Sequence, residues 1–136
     1  MFLLDTNIVS KFMRGRDRLL TARFEAARQT ASSLALSVIV IQELEYGISR
    51  APYPDRTRAK VDVFLSGIDQ LVPFDLEDAL VLADIRKTLV PAGRMIGPFD
   101  AMIAAQALRR GAVLVTNNTG EFHRVPGLRV VDWTQD

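Results

Sequence analysis

Three acidic positions, far apart in the chain, have the residue types and locations needed for a shared metal site. Asp5 follows the apolar run at residues 1–4, a helical segment offers either Glu43 or Glu45, and Asp100 heads an apolar helical stripe. Three carboxylates gathered together repel one another unless a cation neutralises them. Mg²⁺ and Mn²⁺ prefer such oxygen ligands and can activate water beside a transferring phosphoryl group. The predicted chemistry is metal-assisted phosphodiester hydrolysis.

The elements that must position these acids alternate between short strands and helices. Apolar runs predict strands at 1–4, 34–37, 71–74, 112–116 and 127–131. Helical periodicity predicts helices over 8–13, 19–29, 38–50, 56–68 and 76–90, and one more that opens at Gly97-Pro98 and ends at Gly111. This alternation indicates an α/β fold, with a mostly parallel sheet and helices on both faces. We expect one domain over 1–136, a length that can bury a real core.

In a parallel sheet the carboxyl ends of adjacent strands lie along one edge, where ligands bind. Asp5 and the polar run Thr116-Asn117-Asn118 should both lie there, since each ends a strand. Asp100 reaches the same edge if its helix runs antiparallel to the strands, which the short connection at Gly111 requires. Simpler roles also exist, because Asp5 could only cap a helix and Asp100 could only complement a helix dipole. Residues two apart on a helix point in different directions, so periodicity does not choose between Glu43 and Glu45.

The amino-acid composition excludes several kinds of site and favours a soluble protein over a membrane protein. The chain has no cysteine, which excludes disulfides, thiolate zinc sites and cysteine nucleophiles. It shows no membrane-spanning run and no signal peptide, so we expect a cytoplasmic protein without a membrane partner. Of 17 basic residues only three are Lys, and Arg suits bidentate phosphate recognition. Arg14, Arg16 and Arg18 cluster at one connection, where they could contact a phosphate backbone or form a solvated turn.

Four segments, in order, resemble the successive motifs of PIN-domain ribonucleases, and more narrowly of VapC-type toxins from bacterial toxin–antitoxin pairs. Each motif is weak alone, but the ordered set spans the chain and is specific. The segments are Leu3-Leu4-Asp5-Thr6-Asn7, Gln42-Glu43-Leu44-Glu45-Tyr46-Gly47, Ile96-Gly97-Pro98-Phe99-Asp100-Ala101-Met102-Ile103-Ala104-Ala105 and Leu114-Val115-Thr116-Asn117-Asn118. The resemblance implies a PIN-like three-layer fold.

The resemblance also implies that Asp5, Glu43 and Asp100 are the catalytic, metal-binding acids, and so selects Glu43 over Glu45. Asn7 and Thr116 would then be hydrogen-bonding supports. Many family members carry a further Asp where this chain has Asn118, whose amide oxygen brings no charge. Glu121 could reach the site instead, although a surface position is favoured for it. We expect Asp84 to lie on a solvated helix face and His123 to be structural or exposed.

Family resemblance further implies an RNA substrate, often transfer RNA, a Mg²⁺ or Mn²⁺ cofactor, a homodimer and a VapB-like antitoxin. The helices over 8–13, 38–50 and 56–68 could offer the antitoxin an apolar groove. One alternative is a haloacid-dehalogenase-like phosphotransferase with Asp5 as nucleophile, but its usual second Asp is replaced here by Asn7. Another is a non-catalytic, nucleic-acid-binding PIN domain, which Asn118 keeps open. A nucleotide-binding Rossmann protein lacks support, since no Gly-rich loop follows the first strand.

Overall fold

A computed structural model describes residues 1–136 and shows five strands alternating with helices. The strands are β1 (Phe2–Leu4), β2 (Leu34–Ser37), β3 (Gln70–Val72), β4 (Val113–Val115) and β5 (Arg129–Val131). The helices are α1 (Thr6–Arg14), α2 (Arg18–Arg28), α3 (Val38–Arg50), α4 (Pro54–Ser66), α5 (Leu76–Leu89), α6 (Pro98–Arg110) and the short α7 (Thr119–Phe122). The predicted α/β class is confirmed.

The five strands form one sheet in the order β3-β2-β1-β4-β5. Every neighbouring pair is parallel, so the sheet is wholly rather than mostly parallel. In the central strand, Leu4 pairs with Leu36 on one side and with Val115 on the other. The next residue along each strand is polar: Asp5, Ser37 and Thr116. The register therefore sets three polar side chains level with one another at the carboxyl edge of the sheet.

The helices cover both faces of this sheet. The chain moves outward from β1 to β3 through α1–α4 and then returns past β1 to β4 through α5 and α6. Because parallel crossovers are right-handed, the two sets lie on opposite faces, and α1 packs against α3 and α4 while α5 packs against α6. One cluster of 31 buried apolar residues fills the interior. No helix is both long and apolar enough to cross a lipid bilayer.

Helix boundaries follow from local chemistry, with one correction. Asp5, Asp17 and Ser37 cap α1, α2 and α3 by accepting a backbone N–H in the next turn. The sequence predicted that residues 51–54 break the helix over 38–50 and that the next helix begins at residue 56, but Pro54 is itself the first residue of α4. Proline suits that position, because its ring presets a helical φ and its missing N–H would be unpaired there anyway. β3, which Pro73 follows, lies at the sheet edge as predicted.

The α5–α6 pair is held by a buried ionic cluster. The Asp78 side chain is fully buried, and its carboxylate accepts from Arg109 Nε at 2.8 Å and from Arg110 Nη1 at 2.6 Å. Burial alone would raise the pKa of Asp78, but the hydrogen bonds from Arg110 and Arg109 outweigh it and hold that pKa well below its usual range. This cluster fixes α6, and with it Asp100 at the other end of the helix.

Candidate active site

Asp5 lies at the centre of the carboxyl edge, directly after the central strand. Only 3% of its surface is exposed. Its Oδ1 accepts from the Ile8 backbone N–H at 2.9 Å, and its Oδ2 accepts from Thr116 Oγ1 at 2.5 Å. Burial raises the pKa of Asp5 against these two hydrogen bonds, and the negative charges of Glu43 and Asp132 raise it further. Asp5 thus caps α1 and also belongs to the group of acids at the carboxyl edge of the sheet, which we call the acidic edge. An ionised carboxylate has about four lone-pair sites, so two bonds leave room for a cation.

The two glutamates of α3 have separate surroundings. Glu43 Oε1 accepts from Thr6 Oγ1 at 3.0 Å, which ties it to the residue beside Asp5. Glu45 is exposed and pairs with Arg58 of α4 through two hydrogen bonds of 2.7 and 2.6 Å. The choice that periodicity left open is therefore made by tertiary contacts: Glu43 faces the carboxyl edge, while Glu45 links two helices.

Asp100 lies in the first turn of α6, after Gly97 and Pro98. Gly111 ends the helix in the left-handed conformation at φ 62°, and β4 follows two residues later, so α6 does run antiparallel to the strands. Burial raises the pKa of Asp100 to about 6, together with the charges of Glu121, Asp5 and Glu43 and a side-chain hydrogen bond with Glu121. Four carboxylates therefore act on one another at this edge.

Glu121 belongs to this acidic group through α7. Its Oε2 accepts from Asn118 Nδ2 at 2.7 Å, and the Asn118 backbone N–H donates to Thr116 Oγ1 at 2.9 Å. The Asn118 side-chain amide therefore holds Glu121 toward Asp100. Thr116 Oγ1 accepts a hydrogen bond from the Asn118 N–H and donates one to Asp5. The expected hydrogen-bonding support from Thr116 is present in the structure.

A buried polar network fixes α3 relative to α6, and sequence reasoning missed it. Ser37 Oγ, at the start of α3, donates to Gln106 Oε1 of α6 at 2.5 Å. Gln106 Nε2 in turn donates to the carbonyls of Val72 and Pro73 at 3.3 and 3.0 Å. Since Gln106 is fully buried, these bonds cannot be replaced by water, and they hold the helices that carry Glu43 and Asp100.

Three further residues differ from or match expectation. Asn7 is exposed and its side chain makes no hydrogen bond; the bond expected of it is made by Thr6. Asp84 is exposed beside Lys87 and His123 is exposed, as predicted. Asp132, which directly follows β5 and acts on Asp5, was missed. The strand-end rule that singled out Asp5 would have found it.

None of Asp5, Glu43, Asp100 and Glu121 is paired with a basic side chain; all ion pairs of the protein involve other acids. No three of these acids stand at the spacing of a closed metal centre. The donor set nonetheless fits a hard divalent cation, because it offers only carboxylate, amide and hydroxyl oxygens. It does not suit a soft metal, which would need sulfur ligands.

Comparison with known proteins gives consistent matches along the chain. A model of the PIN domain matches residues 2–128. The chain is 39% identical over 133 residues to the tRNA(fMet)-specific endonuclease VapC of Shigella flexneri, and 36% identical over 132 residues to ribonuclease VapC2 of Haemophilus influenzae. The alignments cover 98% and 97% of each chain, respectively. A chain in the crystal structure of VapBC2 from Rickettsia felis, bound to a promoter DNA fragment, superimposes with a TM-score of 0.90 at 31% identity, covering 97% of this chain and 98% of that one.

Proposed function

This chain belongs to the PIN-domain family, within its VapC group, and we propose that it is an endoribonuclease toxin that a cognate antitoxin restrains. The resemblance found in the sequence motifs and the PIN-like three-layer fold are both confirmed. The observation that carries the proposal is the acidic group at the carboxyl edge, where four carboxylates meet without a basic partner. We place the reaction in the cytoplasm, where RNA is translated.

The proposed cofactor is Mg²⁺ or Mn²⁺, held by Asp5, Glu43 and Asp100. When bound, such an ion lowers the pKa of water and offsets charge on the phosphoryl group. Hydrogen bonds orient two of these ligands before any ion binds. Thr116 and the Ile8 N–H hold the Asp5 carboxylate, and Thr6 holds the Glu43 carboxylate. Asp100 holds a proton below about pH 6 and must release it to become a ligand. Glu121 adds charge, and Asn118 orients Glu121.

Transfer RNA is the substrate class we propose, since the Shigella flexneri relative is named for it. An RNA strand meeting four unpaired carboxylates would be repelled. A divalent cation that neutralises the acidic group should therefore strengthen RNA binding as well as support cleavage.

The antitoxin partner follows from the VapBC complexes that this chain resembles. An apolar cavity of about 560 Å³ lies between α1, α2 and α4 and is lined by nine residues, among them Phe12, Met13, Val63 and Phe64. Arg28 and Lys60 are also among the lining residues. From the sequence we expected α1, α3 and α4 to offer the antitoxin groove, whereas this cavity is lined by residues of α1, α2 and α4. A partner helix with an apolar face and an acidic flank suits this surface.

The phosphotransferase alternative is disfavoured by the surroundings of Asp5. No Lys forms an ion pair with it; Lys11 pairs with Asp17 and Lys87 with Asp84.

The test is cleavage of bulk tRNA by the purified protein with Mg²⁺ or Mn²⁺, with and without chelator. We expect metal-dependent cutting that Asp5→Asn and Asp100→Asn each reduce by at least roughly 10²-fold, as for removal of a transition-state stabilising group. Asp84→Asn is the matched control and should cut like the wild type, since Asp84 is exposed. Cutting that persists in chelator, or survives in both site variants, would reject the proposal. A phosphorylated Asp5 would support the phosphotransferase instead.

A further inference from the structure

A second concave surface lies at the turn between α1 and α2. Gly15 ends α1 in the left-handed conformation at φ 70°, so the chain reverses and α2 begins three residues later. The turn encloses a cavity of about 480 Å³ with no apolar lining residue. The residues that line it are Lys11, Arg14, Arg16, Asp17 and Arg18.

The charge in this cavity is mostly unneutralised. The single acid, Asp17, is already engaged, since its Oδ1 accepts from the Leu20 N–H at 2.9 Å and its Oδ2 lies 3.8 Å from Lys11 Nζ. Arg14, Arg16 and Arg18 are exposed and have no carboxylate partner. Three free guanidinium groups therefore share one concave surface. The dipole of α1 accounts for Arg14 at its carboxyl end, but not for the other two.

This basic surface continues toward α4 and is joined to the acidic edge by α1. Arg14 also lines a smaller cavity of about 200 Å³ with Ser10, Thr57 and Lys60. At the other end of α1, Thr6 holds Glu43. Arg14 comes eight residues after Thr6, so the two ends lie about 12 Å apart along the helix at 1.5 Å per residue. A nucleic-acid strand covers that distance in a few nucleotides.

We propose that the Arg14–Arg16–Arg18 pocket holds backbone phosphates of the substrate RNA a few nucleotides from the bond that is cut. The inference rests on the proposed ribonuclease function. Because the acidic edge repels a polyanion, affinity for RNA must come from a cationic surface elsewhere, and guanidinium groups bind phosphate bidentately. An acidic protein segment fits this pocket less well, since it would need an apolar anchor that the cavity lacks.

The experiment measures binding of fluorescein-labelled bulk tRNA by anisotropy, in chelator so that no cutting occurs, over 50 to 300 mM KCl (roughly the range in which salt slopes are resolved). The variant carries Arg14→Gln, Arg16→Gln and Arg18→Gln. We expect roughly tenfold weaker binding at low salt, and a log–log salt slope reduced by about 2, since each phosphate contact on a single strand contributes about 0.7. Arg86→Gln, an exposed and unpaired arginine of α5, is the control and should bind like the wild type.

Arg16→Gln alone, placed in the turn outside both helices, guards against misfolding of the triple variant and should lower the slope by about 0.7. With metal restored, the triple variant should show a rise in KM for tRNA that exceeds any fall in kcat. A protein that cuts tRNA but whose triple variant keeps the wild-type affinity and slope would overturn this inference and leave the proposed function standing. Unchanged RNA binding with lost affinity for an acidic antitoxin peptide would also overturn it. Failure of the wild type to cut RNA would reject the proposed function, and the inference that rests on it would fall as well.

Discussion

Replacing Asp100 with Asn should stabilise the metal-free protein while removing its activity. In the folded chain the pKa of Asp100 is raised from 3.8 to about 6, chiefly by burial and then by the charges of Glu121, Asp5 and Glu43. A shift of about 2 pH units corresponds to about 3 kcal/mol of destabilisation when the group is ionised. Because Asp100 is only partly buried, solvent screening reduces this to roughly 1–2 kcal/mol. Asn keeps an N–H donor for Glu121 and carries no charge.

The stability difference between the wild type and Asp100→Asn should depend on pH. A carboxyl whose folded pKa exceeds its unfolded pKa destabilises the fold when ionised, fully above about pH 6 and not at all below about pH 4. Stability of the wild type relative to Asp100→Asn should therefore rise as pH falls through that window. At pH 7.5 in chelator the variant should melt about 4–8 °C higher, at roughly 4 °C per kcal/mol for a chain of this size. At pH 4.5 the difference should fall to about a third.

Thermal unfolding followed by circular dichroism at the two pH values measures this, with Asp84→Asn as control. Asp84 is exposed and pairs only with Lys87, so its replacement should change stability by less than about 0.5 kcal/mol at either pH. Adding Mn²⁺ at pH 7.5 should raise the melting temperature of the wild type more than that of Asp100→Asn. An Asp100→Asn variant that melts no higher than the wild type at pH 7.5, or whose gain is the same at pH 4.5, would refute the view that burial and the neighbouring acids together disfavour the ionised form of Asp100.

Three other predictions concern the frame around the site. Asp78→Asn should destabilise the fold by about 3–5 kcal/mol, because it leaves Arg109 and Arg110 without their buried anion. Folding lowers the pKa of Asp78, so the wild type itself loses this ion pair in acid. Urea titrations should therefore show the full loss of stability above about pH 4 and a smaller loss in more acidic solution. Gln106→Leu should cost about 2–4 kcal/mol of stability by stranding the polar partners of a buried amide, and, by freeing α3 from α6, it should lower kcat on tRNA even at temperatures where the variant is folded. Leu80 is 55% exposed on α5. If this face forms the homodimer that the family resemblance implies, Leu80→Glu should yield a monomer in light scattering. Tyr53→Glu, which changes an exposed aromatic residue before α4, is the control and should leave the dimer intact.

The elements that sequence could specify are those whose determinants are local. Strand ends, N-caps and the left-handed Gly111 each depend on a few neighbouring residues, and the convergence of Asp5 and Asp100 follows from them once the sheet is parallel. Glu43 and Glu45 could not be separated in this way, because the rotation of α3 is set by Ser37 and by partners in other helices. A bond such as the one from Ser37 to Gln106 spans 69 residues, and no periodicity signals it.

Glu121 is a second residue whose position could not be decided from the sequence alone. The sequence favoured a surface position for Glu121 and kept a place in the site as the alternative. The deciding contact is the hydrogen bond from Asn118, whose own backbone N–H is held by Thr116. The residue that appeared to weaken the site by lacking a charge is the one that turns an additional carboxylate toward it.

The two buried acids of this protein make the clearest case for the role of the carboxyl edge. Asp78 and Asp5 are both almost completely removed from solvent, so each would be raised in pKa by burial alone. Asp78 receives two guanidinium groups and its pKa falls, whereas Asp5 receives only hydrogen bonds from a hydroxyl and an N–H, faces further negative charge, and its pKa rises. A chain with 14 arginines could have supplied a partner for Asp5 as it did for Asp78. No basic side chain balances the charge at Asp5, which is what the proposed divalent-cation site requires and what a purely structural carboxylate does not.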